Sequence, residues 1–73
     1  PAGTPHYGTV NISVPAGASN QHVQIIVSDD NGSRVVYDRN QSGGDNISKS
    51  VSGTGKTRVK VYINNSLVQD QYI

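Results

Sequence analysis

Three stretches of this chain alternate between aliphatic and polar residues, and that period of two limits the fold more than any other feature. Val10, Ile12 and Val14 are separated by Asn11 and Ser13, and Val59, Val61 and Ile63 by Lys60 and Tyr62. Val23, Ile25 and Val27 share one phase, with Ile26 in the other. Successive side chains of a strand point to opposite faces, so each stretch reads as a strand with one buried face. No stretch carries the 3.6-residue period of a helix. Glu, a strong helix former, is absent and Leu occurs once, as Leu67, which agrees with a chain built from strands.

The turns between these stretches are equally legible. Pro15 ends the first strand, because proline cannot donate to a ladder. Asp30-Asn31-Gly32-Ser33 reads as a hairpin turn with Asn31 and Gly32 at its centre, since Asn-Gly tolerates positive φ at both central positions. That turn sets Asp29 opposite Arg34, Val27 opposite Val36 and Ile26 opposite Tyr37, leaving both faces of the hairpin partly apolar. Asn64-Asn65 reads as a second such turn, with Tyr62 opposite Leu67 and Val61 opposite Val68. Residues 16–20 and 40–45 read as loops, and Ser52-Gly53-Thr54-Gly55 as a turn. Six strands follow, over about residues 7–14, 22–29, 34–39, 47–51, 57–63 and 67–73. In the fourth, Lys49 shares the phase of Ile47 and Val51, which marks a short or edge strand.

Short strands with turn signals every 8–12 residues or so describe a sandwich or small barrel. The expectation is an all-β chain: a small two-sheet immunoglobulin/fibronectin-III-like sandwich of about six or seven antiparallel strands. Residues 1–5, with two Pro and one Gly, read as a linker, and residues 6–73 as the domain. A chain that starts at Pro1 and has no Met reads as a piece cut from a larger protein.

Composition narrows the function. With 73 residues there is one domain and little area for a deep pocket. The chain has no Cys, so neither a disulfide framework nor a thiolate metal site is expected. The net charge of +1 is too small to suggest nucleic acid. The longest apolar run, Ile25-Ile26-Val27, falls far short of the ~20 residues of a membrane helix.

The chemistry-bearing motifs dissolve into turns. The five Asp, Asp29, Asp30, Asp38, Asp45 and Asp70, fall mostly at turns and strand ends rather than as placed carboxylates. His6 lies near the linker and His22 at a strand start, so neither is an oriented base for a triad or half of a zinc site. Asp29-Asp30-Asn31-Gly32 resembles part of a calcium loop but lacks the alternate ligands and the distal Glu. Gly55-Lys56-Thr57 resembles the end of a phosphate-binding loop, but Ser50 stands where its first Gly belongs and a strand follows. Asn-x-Ser sequons, those at Asn11, Asn31, Asn46 and Asn64 among them, read as chance, since Asn31 and Asn64 are explained by turns. No catalytic residue, metal or cofactor is expected.

One surface stands out. On the outer face of the fifth strand Lys56, Arg58, Lys60 and Tyr62 share a side, beside Leu67. Cations with an aromatic suit an anionic polymer or a sugar, although a solvated face that discourages edge pairing is the plainer account. For a carbohydrate-binding module, Tyr37 and Tyr62 are the candidate stacking platforms.

The stretch HVQIIVSDDNGSRVVYD, followed by SGGDNISKSVSGTGKTRVKVYINNSLVQDQ, is similar to a known arrangement of parts. It resembles the C-terminal extracellular domain that follows the PASTA repeats in PrkC-like membrane serine/threonine kinases of Gram-positive bacteria. The resemblance implies an immunoglobulin-like, non-catalytic module on the cell surface, part of a single-pass membrane protein. Its role would be spacer, cap or cell-wall contact, with wall polymer, muropeptide or neighbouring PASTA repeats as partners and Lys56, Arg58, Lys60 and Tyr62 as the contact. PASTA and kinase motifs are absent, so their ligand and catalytic residues have no positions here. The alternative is an immunoglobulin-like spacer or carbohydrate module of an adhesin or wall hydrolase. The isolated chain is expected to be a monomer without direct membrane insertion.

Overall fold

The computed structural model describes residues 3–17 and 20–73. Its elements are β1 (Pro5–Ser13), β2 (Gln21–Asp29), β3 (Gly32–Gln41), β4 (Asn46–Thr54), β5 (Arg58–Ile63) and β6 (Ser66–Tyr72). They form two antiparallel sheets, β1-β4 and β3-β2-β5-β6. In the usual lettering of immunoglobulin-type sandwiches this order is B-E against C′-C-F-G. No counterpart of strand A is present among the described residues. The all-β two-sheet sandwich expected from the sequence is the observed architecture.

The period-two residues build the core. Val10, Ile12 and Val14 on one sheet, with Ile47 and Val51, meet Val23, Ile25 and Val27 and then Val59, Val61 and Ile63 on the other. Val10, Ile25, Val59 and Val61 have no exposed surface, and each such side chain contributes roughly 1.5–3 kcal/mol relative to exposure. Lys49 keeps the inward phase opposite Val10 but is only half-buried, as a long cationic side chain with an apolar stem can be.

Both hairpins correct the expected registers. The loop between β2 and β3 centres on Asp30 and Asn31, and positive φ falls on Gly32 (+113°). This is a loop followed by a left-handed glycine rather than a two-residue Asn-Gly turn. Asp29 selects it: its Oδ1 accepts the Asn31 N–H at 2.9 Å, an Asx turn. Asp29 therefore pairs with Gly32 and Val27 with Arg34, not Asp29 with Arg34 and Val27 with Val36. A bulge follows, so that Ile26 pairs with Val35 and Ile25 with Tyr37, instead of Ile26 with Tyr37. At the other hairpin Asn64 (φ +52°) and Asn65 (+66°) supply the left-handed turn, and Tyr62 pairs with Leu67 as expected. A bulge then places Val61 opposite Gln69 rather than Val68.

The fourth strand is longer than its sequence suggests. Ser52, Gly53 and Thr54 continue β4 opposite Tyr7, His6 and Pro5, and the turn shifts to Gly55 (φ +74°). Gly53 has to be glycine, because a Cβ there would lie 2.4 Å from Thr57 Oγ1. β1 starts at Pro5, inside the segment read as linker, since a first strand position costs proline no ladder bond. Pro1 and Ala2 of that segment, and Ala18 and Ser19 of the 16–20 loop, lie outside the described residues.

The molecule is a rod of 47 × 18 × 15 Å, and Thr4 and Ile73 meet at one end of it. The Gly55 N–H donates to Thr4 O at 2.8 Å, and the Ile73 N–H to Thr57 O at 3.1 Å. Gly55 and Thr57 are two residues apart, at most about 7 Å of extended chain. The β2–β3 loop shares this end, which we call the base.

Among the described residues the edges of the small sheet have no third strand, and groups of the large sheet and its β2–β3 loop reach them instead. On β4, the Thr54 N–H donates to Asp29 Oδ2 (2.9 Å), the Asp30 N–H donates to Thr54 O (3.0 Å) and Arg34 Nη2 donates to Ser52 O. On β1, Gln69 Nε2 donates to Asn11 O at 3.3 Å.

Candidate functional sites

The residues singled out by the sequence do come together. β5 is a central strand of the larger sheet, and its inward Val59, Val61 and Ile63 turn Arg58, Lys60 and Tyr62 outward. Across the same face lie Ile26 opposite Lys60, Gln24 opposite Tyr62 and Ser28 opposite Arg58 on β2. Asp70 stands opposite Lys60, Leu67 opposite Tyr62 and Tyr72 opposite Arg58 on β6. Leu67 and Val35 are each about half exposed, at 49% and 52%, so the face is a mixed apolar and charged plane.

Its positive charge is largely spoken for. Arg58 donates to Asp70 through two nitrogens, Nε to Oδ1 at 2.7 Å and Nη2 to Oδ2. This two-point pair, helped by the nearby Lys60, holds the Asp70 carboxyl below the usual carboxylate range. The same pair raises the Arg58 pKa further above its already high value. Lys56 Nζ lies 4.9 Å from the centroid of the Tyr72 ring, and the Arg58 guanidinium 5.9 Å from it, both within cation–π range. Sequence spacing finds the cations but not Asp70 and Tyr72, which reach them across the β5–β6 hairpin.

Tyr37 belongs elsewhere. It points inward opposite Ile25, packs against the core and accepts a hydrogen bond from Gln41, because the bulge in β3 reverses its expected face. It is therefore not a stacking platform on the outer sheet. His6 pairs with Gly53 near the base and His22 with Asn40 at the other end of the large sheet, so the two imidazoles do not meet. His22 Nε2 contacts Asp38 instead. Among the described residues no group of three or more His, Cys, Asp or Glu side chains is placed to hold a metal ion, and no helix is long and apolar enough to cross a membrane.

A second cluster was not singled out in the sequence. At the base, a cleft of about 360 Å³ opens between β4 and the β2–β3 loop. Asp29 is its buried hub, its side chain 2% exposed. Its carboxylate accepts from the Thr54 N–H, the Asn31 N–H and, at 3.2 Å, Arg34 Nη1. The backbone donor Thr54 and then Asn31 hold the Asp29 carboxyl below its ordinary value. Tyr7, 78% exposed, forms the wall on the β1 side. The Asp-Asp-Asn-Gly motif reads as a turn in sequence because its use as an anchor depends on Thr54 and Arg34, both distant along the chain.

Comparison with protein-family models, with curated proteins and with solved structures finds no match to this chain.

Proposed function

We propose that this chain is a non-catalytic contact module of a bacterial surface protein, held by its base as a cap or side branch. The observation that carries the reading is the anchoring of Thr4 and Ile73 on the same short segment, Gly55–Thr57. A domain whose ends lie together does not lengthen a string of domains; it projects from it. Of the two structural roles suggested by the likeness to PASTA-kinase extracellular domains, cap is thus favoured over in-line spacer. The contact surface of this reading is the outer face around Lys56, Lys60 and Tyr62, with Arg58 holding the face together through Asp70. Wall polymer is the partner, on the strength of the sequence likeness and of the cation and aromatic side chains gathered there.

Two measurements test it. With fluorescent reporter domains fused to both ends, energy transfer should match reporters that sit side by side. A separation near the 47 Å long axis would refute the cap. Retention of the labelled chain on purified Gram-positive sacculi should fall several-fold in the Lys56→Ala, Lys60→Ala, Tyr62→Ala triple variant. Equal retention of the variant would move the contact off this face, and no retention of the parent chain would remove wall polymer as the partner.

A further inference from the structure

The outer face of the small sheet differs from the charged outer face of the large one. β1 and β4 pair Tyr7 with Ser52, Thr9 with Ser50, Asn11 with Ser48 and Ser13 with Asn46. All of these side chains are exposed. The opposite phase holds Val10, Ile12, Ile47 and Val51 in the core, and also holds the charged Lys49 and the titratable His6. The outer phase from Pro5 to Ser13 and from Asn46 to Thr54 therefore carries hydroxyls, amides and one aromatic ring, and no charge. The nine residues of β1 extend this track over about 30 Å.

The track ends in the base cleft. Tyr7, at 78% the most exposed large hydrophobic side chain among the described residues, stands at the junction of the two. Across the cleft are Arg34, 44% exposed in its side chain, and the exposed Asn31. Arg34 spends one N–H on Asp29 and one on Ser52 O, and a guanidinium has five. It is thus fixed in place with donors left over. Its charge is balanced by the buried Asp29, so the cleft is polar without favouring an anion.

We infer that this cleft and the uncharged track leading from it bind a neutral glycan, with one sugar ring stacked on Tyr7 and its hydroxyls held by Arg34 and Asn31. A pyranose presents a C–H face to an aromatic ring and hydroxyls at its rim. A planar aromatic with an apolar body and a polar tip matches the first, and a few fixed donors and acceptors in a cleft match the second. Further sugars of the chain follow the Ser, Thr and Asn side chains of β1 and β4, where exchange of water for hydroxyl partners costs little. The inference uses the small sheet and the base cleft, none of whose lining residues belongs to the proposed wall-contact face, and stands independently of it.

The test is an NMR titration of the ¹⁵N-labelled chain with chitohexaose and, separately, cellohexaose. Saturable shifts are expected at Tyr7, Asn31, Arg34 and Ser52, spreading to Thr9 and Ser50. Tyr7→Ala should weaken binding at least tenfold while keeping the dispersed spectrum of the folded chain, and Tyr7→Phe should restore it. Arg34→Lys keeps a cation but not the forked donor set and should weaken binding several-fold. Absence of shifts with both glycans at millimolar concentration would overturn the inference. So would shifts confined to Lys56, Lys60 and Tyr62, or binding that survives Tyr7→Ala unchanged.

Discussion

Along one flank of the sandwich, the unpaired edge of β4 meets Asp29, Asp30 and Arg34, which occupy Thr54 N–H, Thr54 O and Ser52 O. Along the other, the unpaired edge of β1 meets Gln69, whose single bond to Asn11 O is long at 3.3 Å. The Gln69 Oε1 atom is buried without a partner, over an apolar groove of about 300 Å³ that includes Ile12, Ile63 and Val68. Both flanks face the same problem, an edge with no third strand to pair with. One solves it with a buried carboxylate that organises its own loop, the other with a neutral side chain that satisfies one carbonyl and strands its own oxygen. The difference teaches that a two-stranded sheet is pinned where a charged acceptor can serve several backbone donors at once, since charge-assisted bonds are roughly twice as strong as neutral ones.

The largest break in this comparison is Asp29→Ala. It strips acceptors from the Thr54 and Asn31 amides and leaves Arg34 without its partner. The melting temperature should fall by on the order of 10 °C, and the Thr54 amide should lose its hydrogen-exchange protection before the β2 and β5 amides do. A fall of only a degree or two would mean that the β4 flank is held by backbone pairing alone.

Acid reaches the same anchor by another route. The Asp29 and Asp70 carboxyls lie below the ordinary value of 3.8 in the folded chain. A depressed folded pKa gives stability that is present above the unfolded pKa and lost as pH falls through the folded one. Melting temperature should therefore be flat above about pH 5 and drop below about pH 4. Asp29→Ala should flatten part of that acid limb, and Asp29→Ala combined with Asp70→Ala should flatten more of it. An unchanged limb in the double variant would show that neither carboxylate carries the acid sensitivity.

These anchors also mark the limit of what the sequence disclosed. The alternation of Val and Ile placed the core residues in β1, β2 and β5 correctly, because burial follows phase and phase is local. The Arg58–Lys60–Tyr62 face was legible for the same reason. What was hidden depends on pairing: Asp29 reads as a turn residue until Thr54 is beside it, and Tyr37 reads as outward until the bulge in β3 reverses it. Tyr7 had a detectable signal, an aromatic in the polar phase of the first strand. The uncharged track appears only once that phase is aligned with the even-numbered residues of 46–54. The longer β4 was masked by glycine: Gly53 signalled a turn, whereas its lack of a side chain serves close packing against Thr57.

Arg34→Lys should have a smaller effect than the loss of Asp29. The ammonium replaces one contact but not the fork that spans Asp29 Oδ2 and Ser52 O. A decrease of a few degrees in melting temperature is expected, with β4 exchange protection reduced at Ser52 more than at Thr54. Equal losses at both would show that Arg34 acts on the whole flank through Asp29 rather than on its own carbonyl.

Gln69→Leu sharpens the comparison from the weak side. It removes the 3.3 Å bond to Asn11 O, which leaves that carbonyl to water at an exposed strand edge. It also removes the orphaned Oε1 and adds an apolar side chain beside Ile63 and Val68. Losing a weak exposed bond costs about 0.5–1 kcal/mol, while relieving a buried unpaired acceptor recovers about 1–3 kcal/mol. Stability measured by chemical denaturation should thus be unchanged or slightly higher, the reverse of Asp29→Ala on the opposite flank. A loss of several kcal/mol would mean that Gln69 is the counterpart of Asp29 after all, and that the two flanks are pinned with equal strength. A gain would identify the β1 edge as a side the fold leaves open, where a neutral amide is tolerated because little of the sandwich's stability passes through it.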